Sequence, residues 1–136
     1  PNADAGSLGV LQALEEHPLP TGSVRLAHLV RPLYLRVLRE AAALLGNSSS
    51  GIVEAASFGT PVVNVGDRQR LRERNANTVD VAPEKDDIEA ALRAALVHGK
   101  YQPDNVYGDG RAAPRISRLL QTLPLNAALL EKVNAY

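Results

Sequence analysis

The chain has 136 residues, 45% of them hydrophobic and 22% charged, enough to close one ordinary core and too rich in apolar residues for a disordered segment. Fifteen Lys and Arg balance 15 Asp and Glu, so no basic footprint points to nucleic acid or to an anionic membrane as a partner. There is no Cys, which excludes disulfide scaffolds, thiolate catalysis and cysteine-bound zinc or iron–sulfur centres, and suits a reducing, cytoplasmic setting.

The chain opens Pro1-Asn2-Ala3-Asp4 with neither Met nor a basic-then-apolar leader, which reads as a piece of a longer protein. Taken in order, apolar period predicts a helix over Leu8 to Glu16. Alternation then predicts a strand over Val24 to Val30, with Val24, Leu26, His28 and Val30 on one face. A helix follows over Leu33 to Leu44, with Leu35, Leu38, Ala42 and Leu45 on one stripe. Next come a strand over Ala43 to Gly46, a helix over Gly51 to Phe58, and strands over Pro61 to Val65 and Thr78 to Ala82. The clearest helix runs from Pro83 to His98. Ile88, Ala91, Leu92, Ala95 and Leu96 form its apolar stripe, Pro83 suits its first turn, and His98-Gly99 suits its end. Tyr101 to Gly110 is a structured loop. Two tail stripes follow, Ile116, Leu119, Leu120, Leu123 and then Leu125, Ala128, Leu129, Val133, broken at Pro124. Short strands alternating with helices predict a parallel α/β sheet of the doubly wound, Rossmann-like kind, with ligands at the carboxyl ends of the strands.

Two segments fall at those ends. Gly46-Asn47-Ser48-Ser49-Ser50-Gly51 joins a strand to a helix, and its small polar residues leave backbone N–H groups, hydroxyls and a positive helix end open to a phosphate or diphosphate. Glu54, one turn on, is an acceptor matched to the vicinal hydroxyls of a sugar. An equally direct reading is that Ser49 or Ser50 caps the helix and Glu54 complements its dipole. The second segment is Asn64-Val65-Gly66-Asp67-Arg68-Gln69-Arg70. In it Arg68 offers a planar guanidinium to a phosphate or a departing nucleotide, or else belongs, with Arg70, Arg72 and Arg74, to a solvated charged loop. No Walker loop, G-x-G-x-x-G or G-x-S-x-G occurs, and His17, His28 and His98 lie apart from any triad spacing. Anion binding without magnesium is therefore expected, with no metal and no cofactor.

The stretch from Gly46 to Val81 resembles the carboxyl-terminal half of UDP-N-acetylglucosamine 2-epimerases, and Asn47-Ser48-Ser49-Ser50 with Gly66-Asp67-Arg68-Gln69 resembles their hydrolysing branch. Pro1-Asn2-Ala3-Asp4-Ala5-Gly6-Ser7 is similar to the family element P-N-x-D-x-G-G/S, and Tyr107 to Ile116 to its element Y-G-D-G-x-A-x-x-R-I. The resemblance implies the carboxyl-terminal half of a glycosyltransferase-B-like fold, short of its first strands: one UDP-binding domain over 1–136, ending in tail helices over 111–136. It implies nucleotide-sugar contacts at Asn2, Val30, Ser48, Ser49, Glu54 and Arg68, with Arg68 as a stabiliser of the departing phosphate and the acid/base carboxylates in an amino-terminal domain of the same enzyme. The implied reaction eliminates UDP from UDP-GlcNAc to a glycal and adds water to give ManNAc, for sialic-acid-type sugars. The implied assembly is a dimer or tetramer, with neither nucleic acid nor membrane as a partner, and the chain alone is expected to be inactive. A glycosyltransferase donor domain, or a nucleotide-sugar-binding module without catalysis, are the alternatives.

Overall fold

The computed structural model describes residues 7–124 together with 126 and 131. The chain forms two compact units, Pro1–Val37 and Leu38–Tyr136. Helix α1 (Ser7–Glu16) begins the first, and α2 (Arg31–Glu40) starts in the first and ends in the second. The second unit then runs β1 (Leu44–Gly46), α3 (Ser49–Val53), a 3-10 turn (Ala55–Phe58), β2 (Val62–Val65), β3 (Thr78–Val81), α4 (Lys85–His98) and α5 (Ala112–Thr122).

In the first unit the strand predicted over Val24 to Val30 does not form. The chain turns at Pro20–Ser23, and the Val30 carbonyl accepts the Tyr34 N–H that opens α2, so it is not available to a ladder. No neighbouring strand meets the segment among the described residues, and an unpaired strand leaves its backbone groups without partners. Val24, Leu26 and Val30, meant for a buried face, are 76%, 58% and 62% exposed. Among the described residues the sheet therefore has three strands, not the four predicted.

Those three strands are parallel in the order β1-β2-β3, with Leu45 opposite Val63 and Val63 opposite Val79. The central strand, β2, is buried at Val62, Val63 and Asn64, as expected for a parallel strand covered on both faces. Leu38, Ile52, Ala55 and Ala56 complete the core. α2 stops at Glu40, four residues before its predicted end, because Leu44 is taken by the ladder: its N–H donates to the Pro61 carbonyl at 2.8 Å.

The helix predicted over Gly51 to Phe58 divides for a similar reason. The Asn75 side-chain amide donates to the Ile52 carbonyl at 2.9 Å and the Asn105 amide to the Val53 carbonyl at 2.8 Å. Those carbonyls would have received the next α-helical N–H groups, so α3 ends and a tighter turn follows. Gly51 lets α3 sit on the sheet: a Cβ there would lie 3.0 Å from a methyl of Val62. α4 starts two residues after Pro83, with Glu84 as its cap position, and Ile88, Ala91, Leu92 and Ala95 are half-buried while Leu96 is 52% exposed. Of the tail stripes, α5 carries Ile116, Leu119 and Leu120, all exposed, and the stripe from Leu125 to Val133 lies outside the described residues.

The 3-10 turn closes on Gly59, at φ 61°, with Thr60 N–H donating back to Ala55 and Gly59 N–H to Ala56. The Tyr101 N–H donates to the Gly59 carbonyl at 2.8 Å, and a Cβ on Gly59 would collide with the Tyr101 carbonyl oxygen. Beside this seam Lys100 donates to the Arg39 carbonyl and the Thr60 hydroxyl, each at 2.7 Å, and burial holds its ammonium below the usual lysine range. Gly59→Ala combines a left-handed backbone with this collision and should cost about 2 kcal/mol or more. Gly9→Ala, in α1 with open space around it, should be neutral or stabilising by up to about 1 kcal/mol. Urea unfolding of the two variants checks this, and a Gly59→Ala midpoint equal to wild type would refute the seam.

Candidate functional site

The carboxyl ends of the three parallel strands place two loops at one rim. Gly46, at φ 153°, turns the chain out of β1 into Asn47-Ser48-Ser49-Ser50. Ser48 is the cap of α3: its hydroxyl accepts the Ser50 N–H at 3.3 Å, and its carbonyl accepts the Gly51 N–H at 3.1 Å. The capping reading is thus realised, on Ser48 where the sequence pointed to Ser49 or Ser50. Ser48 remains exposed and Ser49 half-buried. Glu54 ends α3, half-buried, with its N–H on the Ser50 carbonyl at 2.9 Å. α3 has only five residues, so few peptide dipoles add at this end, and the strong positive charge at this rim comes from side chains.

That charge is on the loop after β2. Arg68 Nη1 donates to the Asn47 carbonyl at 3.3 Å, and Gln69 Nε2 donates to the same oxygen at 2.9 Å. One carbonyl, immediately before Ser48, thus ties the Arg68 loop to the serine loop. Ser48, Ser49 and Arg68 are brought together, and Glu54 follows one short helix away. Val30 lies exposed in the first unit, just before α2, and not on a strand. Asn2 lies outside the described residues.

A further set of groups had no role of its own in the sequence reading: Asn64 and Gln69 stood there only as members of the second strand-end segment, and Arg74 as one of its arginines. Gln69 is 5% exposed and Asn64 1%. Arg74 grips Asp80 with two bonds, Nε at 2.8 Å and Nη2 at 3.0 Å, and its Nη1 donates to the Gln69 carbonyl at 2.8 Å and the Arg72 carbonyl at 2.6 Å. Asn64 Nδ2 donates to Asp80 at 2.6 Å, from the position directly opposite in the β2–β3 register. The sequence carried one signal of this, an Asn inside the apolar run Val62-Val63-Asn64-Val65, a residue type depleted in strands. Tyr107 OH reaches the Glu73 carbonyl at 2.8 Å, and Asp109 pairs with Arg115 at 2.7 Å, so the Tyr107–Gly110 loop braces the arginine loop on one side and α5 on the other. Among the described residues, no cluster of three or more His, Asp or Glu suits a metal ion, and no helix is long and apolar enough to cross a membrane.

The sequence profile of the family described as UDP-N-acetylglucosamine 2-epimerase matches residues 1–121. This chain belongs to that family. It is 45% identical over 137 aligned positions, its whole length, to a hydrolysing UDP-N,N'-diacetylbacillosamine 2-epimerase of Legionella pneumophila, of which it covers 36%. It is 28% identical over 127 positions to a UDP-N-acetylglucosamine 2-epimerase of Neisseria meningitidis serogroup B, of which it covers 32%. Over 47 positions, 35% of the chain, it is 51% identical to a hydrolysing GDP/UDP-N,N'-diacetylbacillosamine 2-epimerase of Campylobacter jejuni. The chain spans about a third of the length of the Legionella and Neisseria relatives, in the carboxyl-terminal part of the Legionella protein, and the aligned stretch covers 12% of the Campylobacter protein. The resemblance seen in the sequence to the hydrolysing branch is borne out, as is a partial, Rossmann-like α/β sheet.

The Arg74 guanidinium holds the Asp80 carboxyl below the usual carboxylate range; burial opposes it as the second-largest effect, and the Asn64 amide adds a smaller lowering. A carboxyl that titrates lower in the folded chain contributes its stability above the unfolded value of about 3.9 and loses it as pH falls through the folded value. Asp80 is about half exposed, so the pair contributes about 1 kcal/mol or less at neutral pH. Asp80→Asn should therefore lower the melting temperature at pH 7 and narrow its difference from wild type below about pH 4. Melts from pH 7 to 3 test this, and a gap that is constant across the range would contradict it.

Proposed function

We propose that this chain is the nucleotide-binding part of a hydrolysing UDP-sugar 2-epimerase, with the diphosphate at Ser48, Ser49 and Arg68 and the ribose hydroxyls at Glu54. The observation that carries the reading is the shared Asn47 carbonyl, which sets a guanidinium beside the serine loop at the carboxyl rim of the sheet. Arg68 gives a diphosphate charge-assisted, two-pronged hydrogen bonds. The serine loop supplies hydroxyls and backbone donors close to the chain, and Glu54 accepts from a diol. Asn2 and Val30 remain nucleotide contacts that the sequence resemblance implies. Catalytic carboxylates belong to an amino-terminal domain of the whole enzyme, which is a cytoplasmic homo-oligomer.

In the reaction, a base removes the C2 proton of the sugar and the electron pair forms the C1–C2 double bond as the C1–O bond to UDP breaks. Water then adds across that bond, hydroxyl at C1 and proton at C2 on the opposite face, releasing the 2-epimer. Charge develops on the departing diphosphate, and a fixed Arg68 stabilises it where it forms. The sequence resemblance implied UDP-GlcNAc giving ManNAc, for sialic-acid-type synthesis. The higher identity, over the whole chain, to the Legionella relative favours a doubly N-acetylated UDP sugar as a second reading.

The full-length protein should bind UDP in calorimetry, and Arg68→Ala and Glu54→Ala should each weaken binding by about tenfold or more, the loss of a charged hydrogen bond. Equal affinity in wild type and Glu54→Ala would leave Glu54 as a helix-end residue alone. Turnover of UDP-GlcNAc and of UDP-N,N'-diacetylbacillosamine by the full-length protein, read as UDP release with solvent deuterium entering at C2, separates the two sugars. The 136-residue chain alone should bind UDP weakly and release none from either sugar. UDP release by the pure chain would overturn the assignment of catalysis to another domain.

A further inference from the structure

Arg68 sits on an irregular segment, Gly66 to Asn77, that connects β2 to β3 without a helix. A loop of this kind would ordinarily leave a long, charged side chain free to sample many positions, and ordering it on binding costs free energy. Here the loop is tied from both ends. On the sheet side, Asn64 and Asp80 face each other across the β2–β3 register and are bonded at 2.6 Å. Asp80 takes both arms of the Arg74 fork, and the remaining Arg74 nitrogen gathers the carbonyls of Gln69 and Arg72. Two tight turns, Arg70 N–H to Asp67 and Arg72 N–H to Gln69, fill the curve around that guanidinium. On the ligand side the buried Gln69 side chain donates to the Asn47 carbonyl. Gln69 is thus fixed at its backbone by Arg74 and at its side chain by Asn47, and Arg68 is the residue joined to it.

We infer that Gln69, held by the Arg74–Asp80 pair, is the residue that positions Arg68 against the serine loop for the diphosphate. This rests on the reading of that site as a diphosphate site. Gln69, Arg74 and Asp80 do not touch the ligand in this arrangement. They act through Arg68, by removing the cost of ordering it at the moment of binding and of bond breaking. Four arginines against two acids between Asp67 and Arg74 make the loop attractive to an anion in any conformation, and the anchor selects the one in which Arg68 reaches the Asn47 carbonyl, next to Ser48 in the chain.

The test is a double-mutant cycle on the full-length protein with UDP as the probe, read by calorimetry. Gln69→Ala in the wild-type background should weaken UDP binding about tenfold. In an Arg68→Ala background the same change should cost less than about twofold, because the residue it positions is already gone. A general loosening of the fold would weaken binding equally in both backgrounds, and that result overturns the inference. Asp80→Asn keeps the side-chain shape at a half-exposed position, and should show a smaller loss that also disappears in the Arg68→Ala background. It serves where Gln69→Ala does not fold. Unchanged affinity in Gln69→Ala and Asp80→Asn, with UDP bound by wild type, defeats the positioning role alone. Absence of UDP binding by wild type defeats the diphosphate reading and the positioning role with it.

Discussion

Short elements leave many backbone carbonyls unpaired, and a buried carbonyl must find a donor. β1 has three residues and α3 five, so the second unit depends on side chains to meet carbonyls that longer elements would have met internally. Asn75 serves Ile52, Asn105 serves Val53, Asn77 serves Thr60, and the Thr60 hydroxyl serves Leu38. Each bond joins residues 17 to 52 positions apart, so the same interactions that satisfy the backbone also fix which segments lie together. Removing one amide would leave a desolvated carbonyl as well as a lost link, which is the costlier half of the exchange.

The candidate site is an extension of this bonding, carried to the rim. Asn47 presents its carbonyl outward from the end of β1, and two side chains from the next loop converge on it. The serine loop is shaped by α3, the arginine loop by the Arg74–Asp80 pair, and the two meet at one oxygen. Positive charge at the rim therefore comes from a guanidinium on a fixed arm. A five-residue helix would supply much less. The Tyr107–Gly110 loop, some thirty residues further along, adds Tyr107 against the carbonyl of Glu73 from the far side.

Periodicity made the regular parts legible. The stripe Ile88, Ala91, Leu92, Ala95 and the aliphatic strands around Leu44, Val63 and Val79 were readable because burial imposes a spacing on a repeated geometry. The parallel order followed from their alternation with helices. Ser48, Ser49 and Arg68 were legible as strand-end residues, and their meeting at Asn47 was not, since a bond between positions 47 and 69 leaves no local pattern. The strand predicted from Val24 to Val30 shows the opposite error: alternation describes a face, but a strand also needs a neighbour. The division of the helix after Val53 was invisible because its cause lies in Asn75 and Asn105, 23 and 52 residues away from the carbonyls they take.

The seam between Gly59 and Tyr101 has a consequence for natural variation. Every missense change at a glycine codon introduces at least a β-carbon, and at Gly59 that atom has no place to go. Variants at this position would lower the amount of folded protein and leave each surviving molecule chemically intact. Under the diphosphate reading proposed above, variants at Arg68, on an exposed arm, would leave abundance unchanged and impair each molecule. A genetic survey that scores protein level and activity separately would sort the two positions into different classes, and would distinguish scaffold from site without any ligand being known.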